Sequence, residues 1–195
     1  MSGQPITSLS RQERRHCRRL LIWEGTLDSF VASLTGGIIL SRFAVGLGAG
    51  EGQVSILWAA ANFGAALQVV GSYLVSRTGR RKGVCLAARG AALGLWLVVA
   101  SLTVPAVHDW LAGPGAFWGA STPLVVLIVL HALIILLTQL SQAAWFSWAA
   151  EMTPPAFWGR YFGRRNMFML VFSTPVGVAG GLLCDWWFQH FRAQP

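Results

Sequence analysis

The stretch from Leu124 to Ala149 reads LVVLIVLHALIILLTQLSQAAWFSWA and decides the fold class. It contains no formally charged residue, and its apolar residues follow one another without the alternation of a barrel strand. A helix needs roughly 20 predominantly apolar residues to cross a hydrocarbon core of about 30 Å. Because this run is longer than that and continuous, it predicts a membrane-spanning α-helix.

Similar apolar runs lie on both sides of this stretch. They include charge-free segments between Glu51 and Arg77, between Arg89 and Asp109, and between Arg165 and Asp185. The predicted fold class is therefore all-α, a polytopic membrane helix bundle. We predict a basic segment over 1–19, five transmembrane helices at about 20–47, 54–75, 84–104, 124–149 and 167–188 within a bundle over 20–188, and a short outer tail over 189–195.

The distribution of charge predicts the orientation of the bundle. Only 11% of the residues are charged, less than half of the roughly 25% typical of a soluble domain. Thirteen of the fifteen Lys and Arg flank the predicted spans on one side. This positive-inside bias predicts a cytoplasmic amino terminus in a plasma membrane, by expectation a bacterial inner membrane. Because topology explains the net charge of +8, we expect no nucleic-acid partner.

The first predicted span carries a polar stripe. At 100° per residue, Glu24, Asp28, Thr35 and Arg42 fall within about 40° of one another on a helix. An ionisable residue inside a span costs about 2.5–3.5 kcal/mol on insertion scales, so the stripe is expected to face other helices or a water-filled cavity. Glu24 and Asp28 lie one turn apart, and we expect one of them to keep its proton at neutral pH. An alternative is that Glu24 lies at the membrane interface.

The fourth predicted span carries a second polar stripe. His131, Thr138, Gln142 and Trp145 lie within about 60° of one another on a helix. Two such stripes on different helices predict a passage lined with hydrogen-bonding groups for a polar solute. The alternative for His131 is a structural hydrogen bond between helices, and the glutamine could likewise hold two helices together. Glycine pairs at Gly90/Gly94 and Gly177/Gly181 predict close helix packing.

The segment after the second span reads Gly71-Ser-Tyr-Leu-Val-Ser-Arg-Thr-Gly-Arg-Arg-Lys82. It resembles the signature loop of the major facilitator superfamily, G-x-L-A-D-R-x-G-R-R/K. The residues that match this signature are Leu74, Arg77, Gly79, Arg80 and Arg81. Ser76 stands where the family usually has Asp, and Ser72 stands where it has its first Gly. The resemblance implies a cytoplasmic loop between the second and third helices, with a tight turn at Gly79.

A second segment supports the same resemblance. Glu151 is followed by a Pro-Pro pair and by Gly159-Arg160, as in the loop after the fourth helix of many such transporters. Glu151 is then the expected ion-pair partner of Arg77 or Arg80. The family has twelve helices around a midplane site. The resemblance therefore implies that this chain is an amino-terminal half that lacks the sixth helix, and that it works with missing carboxy-terminal helices or as a homo-oligomer.

The expected function is secondary active transport of an unidentified small solute through the lipid bilayer, coupled to protons or another ion. The alternatives are a membrane-embedded structural or assembly subunit and an inactive transporter fragment. We expect no enzymatic activity, because the seven acidic residues form no cluster of the kind that lipid-active enzymes use. We also expect no cofactor and no metal site, because Cys17, Cys85 and Cys184 lack metal-ligand spacing.

Overall fold

A computed structural model describes residues 11–66, 68–79, 81–111, 121–153 and 155–191. Within these ranges all regular secondary structure is helical, with no strand. The α-helices are α1 (Arg11–Thr35), α2 (Gly37–Gly46), α3 (Glu51–Ala66), α4 (Gln68–Thr78), α5 (Arg81–Ser101), α6 (Pro105–Leu111), α7 (Thr122–Met152) and α8 (Trp158–Phe191), and one 3₁₀ turn spans Pro155–Phe157.

Five segments of the described chain are long and apolar enough to cross a membrane. They are His16–Gly46, Glu51–Thr78, Arg81–Ser101, Thr122–Ala149 and Trp158–Trp186. The prediction of an all-helical chain with five membrane-spanning helices is thereby confirmed. The sequence also predicts a loop from Gly113 to Pro123; residues 113–120 lie outside the described residues, and α7 already begins at Thr122.

The first span differs from the prediction of one continuous helix. Helix α1 ends at Thr35, and α2 begins at Gly37. The amide of Gly36 still donates to the carbonyl of Ala32 at 3.0 Å. Gly37 then takes a positive φ of 56°, a conformation that glycine adopts without the steric penalty of a β-carbon. The glycine pair therefore bends the first span within its length.

The fifth helix begins earlier than the predicted span. Helix α8 starts at Trp158 rather than near Met167 and continues to Phe191. Arg160, Arg164 and Arg165 precede the span predicted at about 167–188 and are therefore expected in the loop before it. They lie instead in the first turns of a helix. Charged residues mark where the apolar part of a span ends, whereas the helix itself can extend beyond that part.

Two compact units make up the chain, one from residues 1–40 and 148–195 and the other from residues 41–147. We call them the α1–α8 unit and the α3–α7 unit and describe each by itself.

In the α1–α8 unit, small residues of α8 lie against the first span. A β-carbon on Gly180 would lie 2.8 Å from Cδ1 of Ile39, closer than normal packing permits. At Gly181 the nearest side-chain atom, from Ile38, would be 3.7 Å away, and at Gly177 the nearest, from Ser33, would be 4.0 Å away. The expected close packing at Gly177 and Gly181 is therefore present, and it is tightest at the intervening Gly180.

In the α3–α7 unit, helix α7 lies at the centre. Gly64 of α3 lies directly against Ile135, and a β-carbon on Gly71 of α4 would lie 3.2 Å from Ala143. By contrast, a β-carbon on Gly90 or Gly94 of α5 would meet nothing within 4 Å among the described residues. The expected close packing at this second glycine pair is therefore not found in the described chain.

Candidate functional site

The α1–α8 unit contains an ion pair within the membrane-spanning segments. Nη2 of Arg165 lies 3.8 Å from Oε2 of Glu24. The arginine is 7% exposed, while the side chain of Glu24 is 49% exposed. The carboxylate of Glu24 thus lies at the exposed edge of the ion pair, and the guanidinium group of Arg165 is buried. The buried guanidinium group of Arg165 lies next to the partly exposed carboxylate of Glu24. This pairing lowers the free-energy cost of placing the arginine's charge within a span.

A glycine makes this arrangement possible. A β-carbon on Gly25 would lie 2.5 to 2.7 Å from three atoms of the Arg165 guanidinium group. Only glycine, which has no β-carbon, leaves room for the guanidinium group at this position. Helix α8 supplies the arginine, and α1 supplies both the acid and the space beside it.

The other two predicted polar residues of α1 have different surroundings. Asp28 is half-buried one turn after Glu24. The hydroxyl of Thr35 donates to the carbonyl of Val31 at 2.6 Å, so it satisfies a backbone acceptor in the last turn of α1. Arg42 belongs to α2 and to the other unit.

His131 is the most enclosed polar side chain of the predicted stripe on α7. It is 3% exposed. Within the described part of the chain, neither of its ring nitrogens has a hydrogen-bond partner. Buried polar groups are normally paired, and an exception calls for a ligand, a water or a functional role. His131 is thus a buried, unpaired polar group on the face of α7 that carries the predicted stripe; its place in a cavity wall stays a prediction.

Two indole rings flank His131. The rings of Trp58 and Trp96 lie 6.3 and 6.1 Å from the imidazole, both steeply inclined to it. The indole N–H of Trp58 donates to the hydroxyl of Ser41 at 3.0 Å and fixes the orientation of that ring. The site is therefore a polar heterocycle in contact with two aromatic side chains, one from α3 and one from α5. Such rings can also stabilise a cation by cation–π attraction.

The remaining residues of the α7 stripe follow His131 along the same helix. Thr138 and Gln142 are half-buried, and Trp145 is buried. Next to them the hydroxyl of Ser141 donates to the carbonyl of Cys85 at 3.2 Å. The same face of α7 buries Leu127 and Ile134. The four predicted residues are therefore brought to the inner half of one helix, as the helical spacing requires.

The signature loop has the predicted turn. Gly79 has a φ of 64°, and its amide donates to the carbonyl of Val75 at 3.0 Å, which closes the carboxyl end of α4. Arg77 is exposed in the last turn of α4, and Arg81 opens α5. Arg80 and the side chains of Leu74 and Glu151 lie outside the described residues. The ion pair expected for Glu151 therefore stays a prediction.

No protein-family model, curated protein or solved structure matches the chain. The resemblance to the major facilitator superfamily thus rests on the residues of the signature loop and of the segment after α7. Among the described residues no group of three or more His, Cys, Asp and Glu side chains could hold a metal ion.

Several residues of these sites were not predicted from the sequence as site residues, namely Gly25, Trp58, Trp96 and Arg165. The signal for Arg165 was its helical spacing from Tyr161 and Phe172, which lie four and seven positions away. Both are aromatic, and Phe172 contacts Phe30 of α1 with ring centroids 6.5 Å apart. A helix drawn from Trp158 onward would have placed Arg165 on this packed face. The two tryptophans gave no comparable signal, because the chain has ten.

Proposed function

We propose that the chain is a membrane transporter, or the amino-terminal part of one, that moves a small polar solute by secondary active transport. In this proposal it resembles the major facilitator superfamily, and its amino terminus lies in the cytoplasm of a cell with a bacterial inner membrane. The proposal rests on one observation above the others: His131 is buried at the middle of a membrane span without a hydrogen-bond partner in the described chain.

The cost of that arrangement is the reason for assigning it a function. A polar group buried without a hydrogen bond costs about 1–3 kcal/mol, and ionisable residues within a membrane mark the paths of solutes, ions or protons. A solute that hydrogen-bonds to the imidazole would remove this cost when it binds. Trp58 and Trp96 would supply aromatic faces on either side of it.

Two features of the first span support transport as well. The bend at Gly36 and Gly37 interrupts a transmembrane helix, a feature that transporters use near their binding sites. The Glu24–Arg165 pair places two opposite charges within spans. A bundle that served only as an anchor would need neither, because continuous apolar helices satisfy their own backbone at lower cost.

The first test is whether water reaches His131. The three native cysteines are replaced by serine, and His131→Cys is labelled in liposomes with a charged methanethiosulfonate, which reacts only with thiols in contact with water. Val129→Cys serves as the matched control, because Val129 lies on the same helix but is 53% exposed, so in a bilayer it is expected to face lipid. We expect labelling at position 131 and none at 129. A folded His131→Cys variant that stays unlabelled would contradict a solute path at this position.

The second test measures flux directly. Liposomes that contain the purified chain are filled with a small-molecule extract of the source cells, and the solutes lost over time are identified by mass spectrometry. We expect at least one polar solute to leave faster than from liposomes that contain His131→Phe. Equal losses from both preparations would argue for a structural or assembly subunit instead.

The proposal assigns ion coupling to Glu24 and Asp28. Once a solute is known, transport driven by a pH gradient is compared between the native chain and the double variant Glu24→Gln/Asp28→Asn. We expect the variant to lose accumulation but to keep downhill exchange of the solute. Full pH-driven accumulation by the variant would exclude both residues as the coupling site.

A further inference from the structure

A basic pocket lies at the end of the α1–α8 unit where both spans begin. It has a volume of about 290 Å³ and is lined by Arg18, Arg19, Ile22, Phe157, Arg160, Tyr161 and Arg164. The arginines come from the first turns of the spans His16–Gly46 and Trp158–Trp186. Arginines at the start of a span are expected at the headgroup level of a bilayer.

The charge of this pocket is not neutralised within the described chain. No described carboxylate pairs with Arg18, Arg19, Arg160 or Arg164, and Glu24 of the same unit pairs with Arg165. Four guanidinium groups around one pocket repel one another, so an anion that bound among them would relieve that repulsion. Guanidinium groups bind phosphate oxygens in a bidentate geometry.

Tyr161 supplies an independent sign that the pocket binds something. The residue is 8% exposed, and its hydroxyl has no hydrogen-bond partner among the described residues. A buried hydroxyl is normally paired. Tyr161 also lines the pocket with the four arginines, so its unpaired phenol lies close to where an anion would bind.

The size and the neighbourhood of the pocket identify the anion as part of a lipid. One water needs only roughly 10–15 Å³, so the pocket has room for a phosphodiester group. A second pocket, of about 380 Å³, shares Arg19, Ile22 and Arg164 with it and extends to Trp23, Thr26 and Phe168. The lining surfaces of both pockets are largely apolar, although arginines contribute to each. A free phosphate would leave these apolar surfaces uncovered, whereas an acyl chain would cover them.

A cation–π contact joins Arg164, which lines both pockets, to Phe168, which lines the second pocket. The guanidinium carbon of Arg164 lies 5.7 Å from the ring centroid of Phe168. This cation–π contact keeps the charge of Arg164 next to the first pocket and leaves the ring in the wall of the second. The polar and apolar parts of a phospholipid would meet at the same place.

We infer that the two pockets together bind one anionic phospholipid, with its phosphate among Arg18, Arg19, Arg160 and Arg164 and an acyl chain along Ile22, Trp23 and Phe168. Basic pockets between transmembrane helices recognise anionic headgroups in this way. The site lies within one unit of the chain, and it does not depend on the proposed transport.

The test uses the purified full-length chain in detergent and native mass spectrometry. Phosphatidylglycerol is compared with phosphatidylcholine that carries the same acyl chains, and with inorganic phosphate as competitor. We expect one phosphatidylglycerol to bind in preference to phosphatidylcholine, and millimolar phosphate not to displace it. Equal binding of both lipids, or displacement by phosphate, would overturn the inference, and the latter would identify a site for free anions.

Two double variants separate this pocket from general attraction to a basic surface. Arg18→Gln/Arg164→Gln removes two charges from the pocket, and Arg77→Gln/Lys82→Gln removes two exposed charges elsewhere. We expect about 30-fold weaker binding for the first double variant and less than about 3-fold for the second. Equal losses in both would show that the lipid responds to total charge and would overturn the inference.

A measurement on the native sequence covers the case in which the first double variant does not fold. Phosphatidylglycerol with a photoreactive diazirine on its acyl chain is cross-linked to the native chain, and the modified peptides are mapped. We expect cross-links at Trp23, Thr26 or Phe168. Cross-links confined to other parts of the chain would overturn the inference.

Discussion

The guanidinium group of Arg165 occupies the space beside Gly25 where any other residue would carry its β-carbon. The nearest guanidinium atom would lie 2.5 Å from that carbon, and the same group lies 3.8 Å from the carboxylate of Glu24. Two consecutive residues of α1 therefore determine where the buried charge of α8 is placed. One supplies the opposite charge and the other supplies the space.

Substitution of Gly25 by alanine is expected to displace Arg165. Alanine improves helix propensity by about 1 kcal/mol, but its β-carbon forces the guanidinium away from Glu24. Because loss of the ion pair costs about 0.5–1 kcal/mol and offsets this gain, we expect the free energy of unfolding in detergent to stay within about 0.5 kcal/mol of the native value. Gly177→Ala is the matched control, because its β-carbon would meet only Ser33 at 4.0 Å, and it should stabilise by up to about 1 kcal/mol. A Gly25→Ala variant as stable as this control would contradict the packing described.

The Glu24–Arg165 pair is expected to show a measurable coupling energy. Because Glu24 is half exposed, we expect about 0.5–1 kcal/mol in a double-mutant cycle with Glu24→Gln and Arg165→Met. The cycle is measured by thermal unfolding. A parallel cycle with Arg164→Met, the exposed neighbour, should give no coupling. If the effects of Glu24→Gln and Arg165→Met simply add, the pair contributes nothing to stability.

Gly64 is expected to tolerate no side chain. A β-carbon there would collide with Cγ2 of Ile135, and overpacking of this kind costs about 1–3 kcal/mol. We expect Gly64→Ala to lower the unfolding temperature and Gly90→Ala, where the added carbon meets nothing within 4 Å, to leave it unchanged or raise it. Addition of Ile135→Ala to Gly64→Ala should recover part of the loss. The absence of any recovery would point to a different cause of the instability.

His131 is expected to be dispensable for stability but needed for transport. Replacement by leucine removes two unpaired ring nitrogens from a buried site, so we expect His131→Leu to be as stable as the native chain or more stable. The solute flux should be lost. Ser141→Ala is the control for a satisfied polar group, because it deletes the hydrogen bond to Cys85 and should cost about 1 kcal/mol. A strongly destabilised His131→Leu variant would instead indicate a structural role.

The sequence by itself determined the class of the protein and the number of its spans. A run such as Leu124 to Ala149 has no soluble alternative, because its length and lack of charge are local properties that any fold must respect. The resemblance of the loop after α4 to the family signature implied the turn at Gly79, and the turn forms there because it needs only the backbone freedom of the glycine itself. The inner face of α7 also followed from the sequence, because helical spacing alone brings His131, Thr138, Gln142 and Trp145 together.

Only the tertiary structure decided which polar groups are paired and which are not. Arg165 became buried because Gly25 of a distant helix leaves space for it, and nothing near Arg165 in the sequence indicates that space. His131 lacks a partner in the described chain because the side chains that reach it from α3 and α5 are the rings of Trp58 and Trp96. Spacing along one helix sets a direction for each side chain, but the free energy of a buried polar group depends on the atoms that another helix brings to it.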